Sequence, residues 1–296
     1  MKRWLRVALA ALLALAALAG TGVAAGLGLA AWRMDRRMEV EAVAVVPATD
    51  ARALSQGRYL FETRGCAGCH GEDGRGKRMI DGGNFRVWTP SIVRGPGSAI
   101  AGYRAEDWDR AIRHGLRPDG RALMFMPSQD FNRLTDDDLA ALVGYVLALP
   151  DGPARERVIE LPVVVRLVLG FGGIPSSADR IDHRLPAAQP VPVAVSVAHG
   201  RYVAQVCIGC HRSDFSGGKV PGGPPDWPAA ADLRALPAGV MSRYADAAAL
   251  ARMFSSGIGA DGRKLEVMPF ESLRALSPVD VQALHLFLRS LQVSPH

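Results

Sequence analysis

Two pentapeptides in the chain place a pair of cysteines directly before a histidine. Residues 66–70 read Cys-Ala-Gly-Cys-His, and residues 207–211 read Cys-Ile-Gly-Cys-His. Cys-x-x-Cys-His is the motif at which a c-type haem is attached, since its two thiols add to the haem vinyl groups and its histidine binds the iron. The sequence therefore predicts two covalently bound haem c groups. They use every cysteine of the chain: Cys66, Cys69, Cys207 and Cys210.

Disulfides and zinc knuckles are the other common uses of paired cysteines. A disulfide would not require His70 and His211 after both pairs. A zinc site would need a fourth ligand at matching places, and no such ligand recurs in the sequence. We therefore predict that His70 and His211 are axial ligands of two haem irons.

The motifs belong to a longer internal repeat. Residues 57–59 (Gly-Arg-Tyr) recur at 200–202, and residues 119–121 (Asp-Gly-Arg) recur at 261–263. The offset is about 140 residues in each case, which indicates one domain present twice. We predict an N-terminal segment over 1–38, a first domain over 50–150, a linker over 151–194 and a second domain over 195–296.

The second axial ligand of each iron should also recur. Met126 and Met268 both precede proline and follow the repeated Gly-Arg pair at the same interval. Met124 is a rival in the first half, but Glu266 stands at the matching place in the second. A thioether ligand raises the reduction potential of a haem iron. We predict Met126 and Met268 as ligands, and His114, which does not recur, as a structural histidine at a helix end.

Helical patterns surround these residues in both halves. Thr135 is a candidate N-cap followed by three aspartates, which favour the positive end of a helix. Ser277 caps the matching helix, and Pro278 suits its first position. The predicted fold class is therefore all-α: two tandem domains plus an N-terminal transmembrane helix.

The N-terminal segment contains an uncharged run over residues 7–32, preceded by Lys2, Arg3 and Arg6. A helix of that length exceeds the roughly 30 Å hydrocarbon core of a bilayer, at about 1.5 Å per residue. A cleaved signal peptide is the alternative, because small residues at 17–19 and 24–25 suit a peptidase. The length of the run favours an uncleaved anchor, and both readings export the rest of the chain.

Composition excludes several other classes of protein. Hydrophobic residues make up 49% of the chain and charged residues 22%, which is typical of a globular protein and too apolar for a disordered one. The net charge of +6 arises from 35 basic residues scattered among 29 acidic ones. Scattered charge and export both argue against nucleic acid as a partner.

With these motifs the sequence resembles a duplicated class I c-type cytochrome. Within that family it most resembles membrane-anchored cytochrome c subunits of periplasmic dehydrogenases that oxidise alcohols, aldehydes or sugar acids. The resemblance is carried by Thr89-Pro90-Ser91-Ile92, the helix 108–115, residues 119–121, Met126-Pro127 and the helix start at 134–139.

The resemblance implies several contacts. The N- and C-terminal helices of each domain should cross through a glycine and aromatic residues: Gly57 with Tyr59 and Tyr145, and Gly200 with Tyr202 and Phe287. A backbone carbonyl at or near Pro90 should accept a hydrogen bond from the His70 ring, and Pro224 or Pro225 is the candidate region for His211.

The predicted function is electron transfer by a dihaem cytochrome c in the bacterial inner membrane, with its haem domains in the periplasm. A cleaved signal would release it into the periplasm. Its partners would be redox proteins: a dehydrogenase, a smaller cytochrome or an oxidase. A haem–copper oxidase subunit and a dihaem peroxidase with one open iron are the alternatives. The apolar linker segment 161–170 is expected to pack on a haem domain or to dock another subunit.

Overall fold

The computed structural model of the protein describes residues 3–153, 155 and 157–291. Its α-helices are, in chain order, α1 (Arg3–Asp35), α2 (Ala51–Thr63), α3 (Cys66–His70), α4 (Ala105–Ile112), α5 (Asp136–Ala148), α6 (Val163–Gly170), α7 (Val197–Val203), α8 (Ile208–His211), α9 (Ala247–Ser256), α10 (Phe270–Leu273) and α11 (Pro278–Ser290). Positions 1 and 2 of the predicted anchor, 154 and 156 of the linker, and 292–296 of the second domain lie outside the described residues.

The first unit, residues 50–150, is built on the crossing of α2 and α5. A Cβ atom at Gly57 would lie 2.1 Å from the carbonyl oxygen of Ala141, so only glycine lets the two helices approach this closely. The Phe61 and Tyr145 rings pack beside the crossing, with centroids 5.5 Å apart. Thr135 caps α5 as predicted, since its hydroxyl accepts a hydrogen bond from an amide in the first turn.

The second unit, residues 195–291, repeats this arrangement with α7 and α11. A Cβ atom at Gly200 would lie 2.0 Å from the carbonyl oxygen of Ala283 and 2.7 Å from Cβ of Phe287. Ser277 caps α11, and Pro278 occupies its first turn, both as predicted. The glycine crossings implied by the resemblance are thus present in both units.

A small antiparallel sheet corrects the all-α prediction, although helices still dominate. Its strands are β1 (Arg78–Gly82), β2 (Phe85–Trp88) and β3 (Val158–Glu160), in that order. Gly82 pairs with Phe85, so the hairpin turns through the two residues Gly83 and Asn84. Gly83 has a φ of 56°, and Gly-Asn is a typical two-residue hairpin loop. The sheet also ties the linker to the first unit, because β3 pairs with β2.

The N-terminal helix α1 spans 33 residues, and by length and composition it could cross a membrane. The apolar linker segment forms α6 and packs against α1, rather than on a haem domain as expected. Gly26 and Gly170 meet at this contact, where a Cβ atom at Gly170 would lie 2.0 Å from the Gly26 carbonyl oxygen. Two facing glycines let the helix backbones touch, which explains the choice of α1 as the packing surface.

Reciprocal tyrosines join the two units, which corrects the expectation that Tyr59 and Tyr202 serve the crossings of their own units. The Tyr59 hydroxyl donates to Asp280 Oδ2 of the second unit over 2.6 Å. The Tyr202 hydroxyl donates to Asp138 Oδ2 of the first unit. Each tyrosine also accepts a hydrogen bond from the N-cap amide of the helix that it reaches. Their side chains are long enough to span the interface.

Candidate functional site

The first cysteine motif forms the one-turn helix α3, and the second lies where a 3-10 turn (Ala204–Cys207) meets α8. Gly65 precedes α3 with a φ of 79°, a left-handed conformation that glycine adopts without strain. Residues three apart on a helix lie on one face, so each motif presents both thiols and its histidine together. The four thiols are free; Cys66, Cys69 and Cys207 are half-buried, whereas Cys210 is exposed.

Each motif histidine is held by a backbone carbonyl 20 residues further along the chain. His70 Nδ1 lies 3.1 Å from the Pro90 carbonyl oxygen, as the resemblance implies. His211 Nδ1 lies 2.8 Å from the carbonyl oxygen of Ala231. A ring N–H donated to a carbonyl leaves Nε2 as the unprotonated ligand nitrogen and fixes the plane of the ring.

The expectation that Pro224 or Pro225 would hold His211 is wrong. Gly218 and Ala230 exchange backbone hydrogen bonds of 2.8 Å, which close the segment between them into a loop. The loop carries both prolines away along its length and brings the carbonyl of the next residue, Ala231, to the histidine ring.

Burial keeps the groups of both motifs uncharged. It lowers the pKa of His70 and of His211, so both imidazoles are neutral, the form that binds a metal. It raises the pKa of the Cys66 thiol and of the Cys207 thiol to about 12. Among the described residues, no group of three or more His, Cys, Asp or Glu side chains is arranged to hold a metal ion.

The two predicted methionine ligands lie in matching places. Met126 packs against the same apolar core as Cys66, and Met268 packs against the same core as Cys207. Each methionine therefore lies in the unit of the motif that it was predicted to serve.

The chain around the two methionines also has the same backbone conformation. Pro127 has φ and ψ of −81° and 57°, and Pro269 has −78° and 65°. In both cases the amide two residues after the methionine donates to the methionine carbonyl over 2.9 Å. The repeat in sequence is thus a repeat in conformation at Met126 and Met268.

Polar atoms close in sequence to His70 and to Pro90 lack hydrogen-bond partners and fit a haem. Trp88 Nε1 and Ser91 Oγ, which flank Pro90, are buried and have no hydrogen-bond partner among the described residues. Arg75 Nε, five residues after His70, is also buried without a hydrogen-bond partner, although Asp73 Oδ2 lies 3.9 Å away. An indole N–H and a guanidinium are donors suited to a carboxylate, which is the chemistry of a haem propionate.

His114 has the structural role predicted for it. It is buried, and its Nδ1 atom lies 3.0 Å from Nδ1 of His183 in the linker. The ring also lies beside Asp109, with Nε2 3.5 Å from Oδ2. His183 Nε2 lies 3.0 Å from the carbonyl oxygen of Ala178. The histidine pair therefore fastens the linker to the first unit.

Two charged residues near the motifs were missed by the sequence analysis. Asp130 of the first unit lies against the second motif, where a Cβ atom at Gly209 would be 2.6 Å from its Oδ2. Its Oδ1 is buried without a hydrogen-bond partner in the described chain. Burial raises the pKa of Asp130 to about 7, although Arg180 nearby opposes the shift.

Arg64 is the second missed charge. It is buried, its guanidinium lies over the Tyr202 ring at 5.9 Å, and its charge acts on the thiols of both Cys66 and Cys207. A break in the repeat could have found both residues, because Ser272 stands opposite Asp130 and Gln205 opposite Arg64.

Comparison with known proteins agrees with this geometry. A family model described as cytochrome c matches residues 54–150. A fructose dehydrogenase cytochrome subunit from Gluconobacter japonicus is 32% identical over 128 residues, which are 40% of this chain and 26% of that protein. The cytochrome c subunit of an alcohol dehydrogenase (quinone) from Gluconacetobacter polyoxogenes is 29% identical over 184 residues, 57% of this chain and 38% of that protein.

A diheme cytochrome c-type protein from Cereibacter sphaeroides is 29% identical over 128 residues, which are 39% of this chain and 43% of that protein. The chain spans less than half of the length of each of these three relatives. Residues 54–150 match a cytochrome c domain, a kind of domain that implies covalently bound haem c, in a chain similar to the cytochrome c subunits of fructose and quinone alcohol dehydrogenases.

Proposed function

We propose that the protein is a membrane-anchored dihaem cytochrome c that carries electrons from a dehydrogenase or respiratory complex to a downstream acceptor. The observation that carries the proposal is the matched pair of histidines, each with Nδ1 at a carbonyl oxygen 20 residues later. Haem c bound at each motif would supply an iron that cycles between the ferric and ferrous states.

The residues of the chain would fill both axial positions of each iron. His70 with Met126 would serve the first haem, attached to Cys66 and Cys69. His211 with Met268 would serve the second, attached to Cys207 and Cys210. Two protein ligands leave no position for a substrate, so the matched methionines favour electron transfer over a dihaem peroxidase, which needs one iron that can open.

Contacts between the units support exchange of electrons within the chain. The second motif lies against Asp130 of the first unit, through Gly209. The first motif lies near α10 of the second unit, where a Cβ atom at Gly65 would be 3.5 Å from Ser272 Oγ. Each motif therefore borders the partner unit, and hydrogen bonds from Tyr59 and Tyr202 hold the two units together.

The location and the partners follow from the N-terminal helix and the relatives. An uncleaved α1 would hold the chain in the bacterial inner membrane, with both units in the periplasm where c-type haem is attached. The relatives are named as subunits of fructose and alcohol dehydrogenases, so a membrane-associated dehydrogenase is the proposed electron donor. A smaller cytochrome, a quinone or an oxidase would accept the electrons.

Carbon monoxide tests the coordination of both irons. The haem content of the purified chain is counted, and a difference spectrum is recorded on the reduced protein with and without carbon monoxide. We expect two haems per chain and no binding, because all four axial positions are filled. Binding at one haem would contradict the electron-carrier proposal and favour a peroxidase.

Substitution of Met268 tests the ligand assignment. Met268→Ala should lower the potential of the second haem and leave both haems attached, since loss of a thioether ligand destabilises the ferrous state. Met253→Ala is the matched control, because Met253 is a buried core residue of the same unit. Unchanged potentials in Met268→Ala would refute the assignment.

Cysteine substitution tests the number of haems. The double variant Cys207→Ala, Cys210→Ala should carry half the covalent haem of the wild type. A variant that still carries two covalent haems would refute the second motif as an attachment site.

A further inference from the structure

The linker helix α6 carries an apolar stripe that borders α1 along one edge and is otherwise exposed. Val164, Leu167, Val168 and Phe171 follow the i, i+3, i+4, i+7 spacing of one helix face. Val164 is 70% exposed, Val168 42% and Phe171 63%. The only charged residue of α6, Arg166, lies on the opposite side of the helix by the same spacing. A soluble domain rarely leaves such a stripe in water.

The stripe lies beside α1, and the two helices fit closely. Atoms of Leu167 and Phe171 would lie 2.6 Å and 2.8 Å from a Cβ atom at Gly26. A Cβ atom at Gly170 would meet the Gly26 carbonyl oxygen at 2.0 Å and the Ala30 amide nitrogen at 3.1 Å. Glycines at a helix crossing allow this approach within a membrane, where packing rather than water drives association.

Polar contacts fix the end of this helix pair that faces the two units. Arg33 Nε donates to the Gly170 carbonyl oxygen over 3.1 Å. Arg36 forms an ion pair with Asp179, which follows α6 in the linker. These charges mark the aqueous side of the pair.

The depth of α6 follows from its contact with α1. Trp4 and Trp32 are 63% and 56% exposed near the two ends of α1, and exposed tryptophans are enriched at membrane interfaces. Gly26 precedes Trp32 by six residues, which is about 9 Å along a helix. The Leu167 and Phe171 side chains touch Gly26, so they lie at the level of the lipid chains if α1 spans the bilayer.

We propose that α6, with Phe171, is a second membrane-inserted element, which lies in the outer leaflet with its apolar stripe against lipid acyl chains. The stripe contacts α1 at Gly26, and α1 carries exposed apolar side chains along its length, so one bilayer would cover both. An interfacial helix typically inserts by about 5–10 Å. The contact with Gly26, about 9 Å along α1 from Trp32, places the stripe within this range. Two elements would fix the orientation of the two units above the membrane, which a single helix leaves free to rotate.

This inference rests on the proposal that α1 is an uncleaved anchor. The experiment therefore compares three single-cysteine variants of the full-length, haem-loaded protein in phosphatidylcholine vesicles. Val164→Cys reports on the stripe. Val193→Cys is the matched control, since Val193 is a linker valine that is 71% exposed, against 70% for Val164. Leu18→Cys, which is 70% exposed on α1, reports on the anchor.

Each variant carries a nitroxide spin label, and power saturation measures its collisions with oxygen, which partitions into lipid, and with a nickel chelate, which stays in water. We expect the ratio of oxygen to nickel accessibility at position 164 to approach that at 18 and to exceed that at 193 several-fold. The haem-bound cysteines are thioethers and do not react with the label. Labelling of the parent chain would refute haem attachment, and so the proposed function, without bearing on α6.

Every other outcome overturns the inference. A water-like ratio at 164 with a lipid-like ratio at 18 leaves the anchor standing and places α6 in water. Low accessibility of position 164 to both reagents means that protein covers the stripe. A water-like ratio at 18 as well refutes the anchor and the second element together.

Discussion

Asp130 is a buried acid whose ionisation should oppose folding at neutral pH. Its carboxyl group lies between the first unit and the second motif, and burial raises its pKa from 3.8 to about 7. The native protein therefore keeps a proton on Asp130 at pH values where the unfolded chain has released it. Asp130→Asn removes the ionisation and keeps the size and a polar amide.

The sign and size of the effect follow from linkage. A raised native pKa contributes stability that is complete below the unfolded pKa and is lost as the pH rises through the native one. One pKa unit corresponds to about 1.36 kcal/mol. Between pH 5 and pH 8 the wild type should lose about 2–3 kcal/mol relative to Asp130→Asn. The variant should therefore become the more stable protein as the pH rises.

Guanidinium unfolding of both haem-loaded proteins, followed by circular dichroism at pH 5, 6.5 and 8, measures this difference. Histidines that titrate in the same range affect both proteins equally and cancel. Asp137→Asn is the control, because Asp137 is exposed at the start of α5 and its loss removes an acid without relieving a buried charge. Parallel pH profiles for the wild type and Asp130→Asn would show that the carboxyl group is solvated, contrary to the structure.

Three further predictions concern packing and polar contacts. Gly57→Ala should lower the free energy of unfolding by about 1–3 kcal/mol in denaturant, as overpacking does. Gly102→Ala is the control, because the space around its Cβ is open, and it should not destabilise the chain. Equal free energies of unfolding for the two variants would refute the close crossing at Gly57. Tyr202→Phe should lower the free energy of unfolding by about 1.5–3 kcal/mol, the contribution of a hydrogen bond to a charged group. An unchanged free energy of unfolding would mean that the hydrogen bond from Tyr202 to Asp138 is absent in solution. Burial and the nearby His114 lower the pKa of His183. The stability that the contact between His183 and His114 contributes is therefore present at neutral pH and is lost as the pH falls through the lowered pKa. On acidification, His183→Gln should lose less free energy of unfolding than the wild type. Identical stability profiles against pH would refute the contact between the two histidines.

Features that depend on short stretches of sequence could be predicted. The caps at Thr135 and Ser277 are local hydrogen bonds, and the crossings at Gly57 and Gly200 follow from the family resemblance. The Pro90 carbonyl beside His70 follows from the family resemblance. Helix capping and close helix packing restrict residue type strongly enough to be read from sequence.

Features that depend on loop length and on contacts between distant parts of the chain could not be predicted from the sequence. Ala231 replaces the expected prolines because a backbone pair inside the loop decides which carbonyl reaches His211. The hairpin at Gly83-Asn84 was not predicted, because its strands span only five and four residues. Hydrophobicity alone could not choose between α1 and a haem domain as the surface that α6 covers.

The tyrosine contacts between the two units are related in the way that a two-fold axis would relate them. Tyr59 of the first unit bonds Asp280 of the second, and Tyr202 of the second bonds Asp138 of the first. In an isologous homodimer, residue i of one subunit meets residue j of the other and j meets i. The chain therefore encloses, in one polypeptide, the interface of a symmetric dimer.

When the two halves of such a dimer are joined in one chain, their sequences no longer have to be identical. A homodimer must carry every interfacial charge twice, whereas a duplicated chain can carry it once. Asp130 stands opposite Ser272, and Arg64 stands opposite Gln205. A duplicated chain can thus give two related motifs different electrostatic surroundings while the scaffold that joins them stays symmetric. The two haems proposed to bind there would then differ in their affinity for an electron.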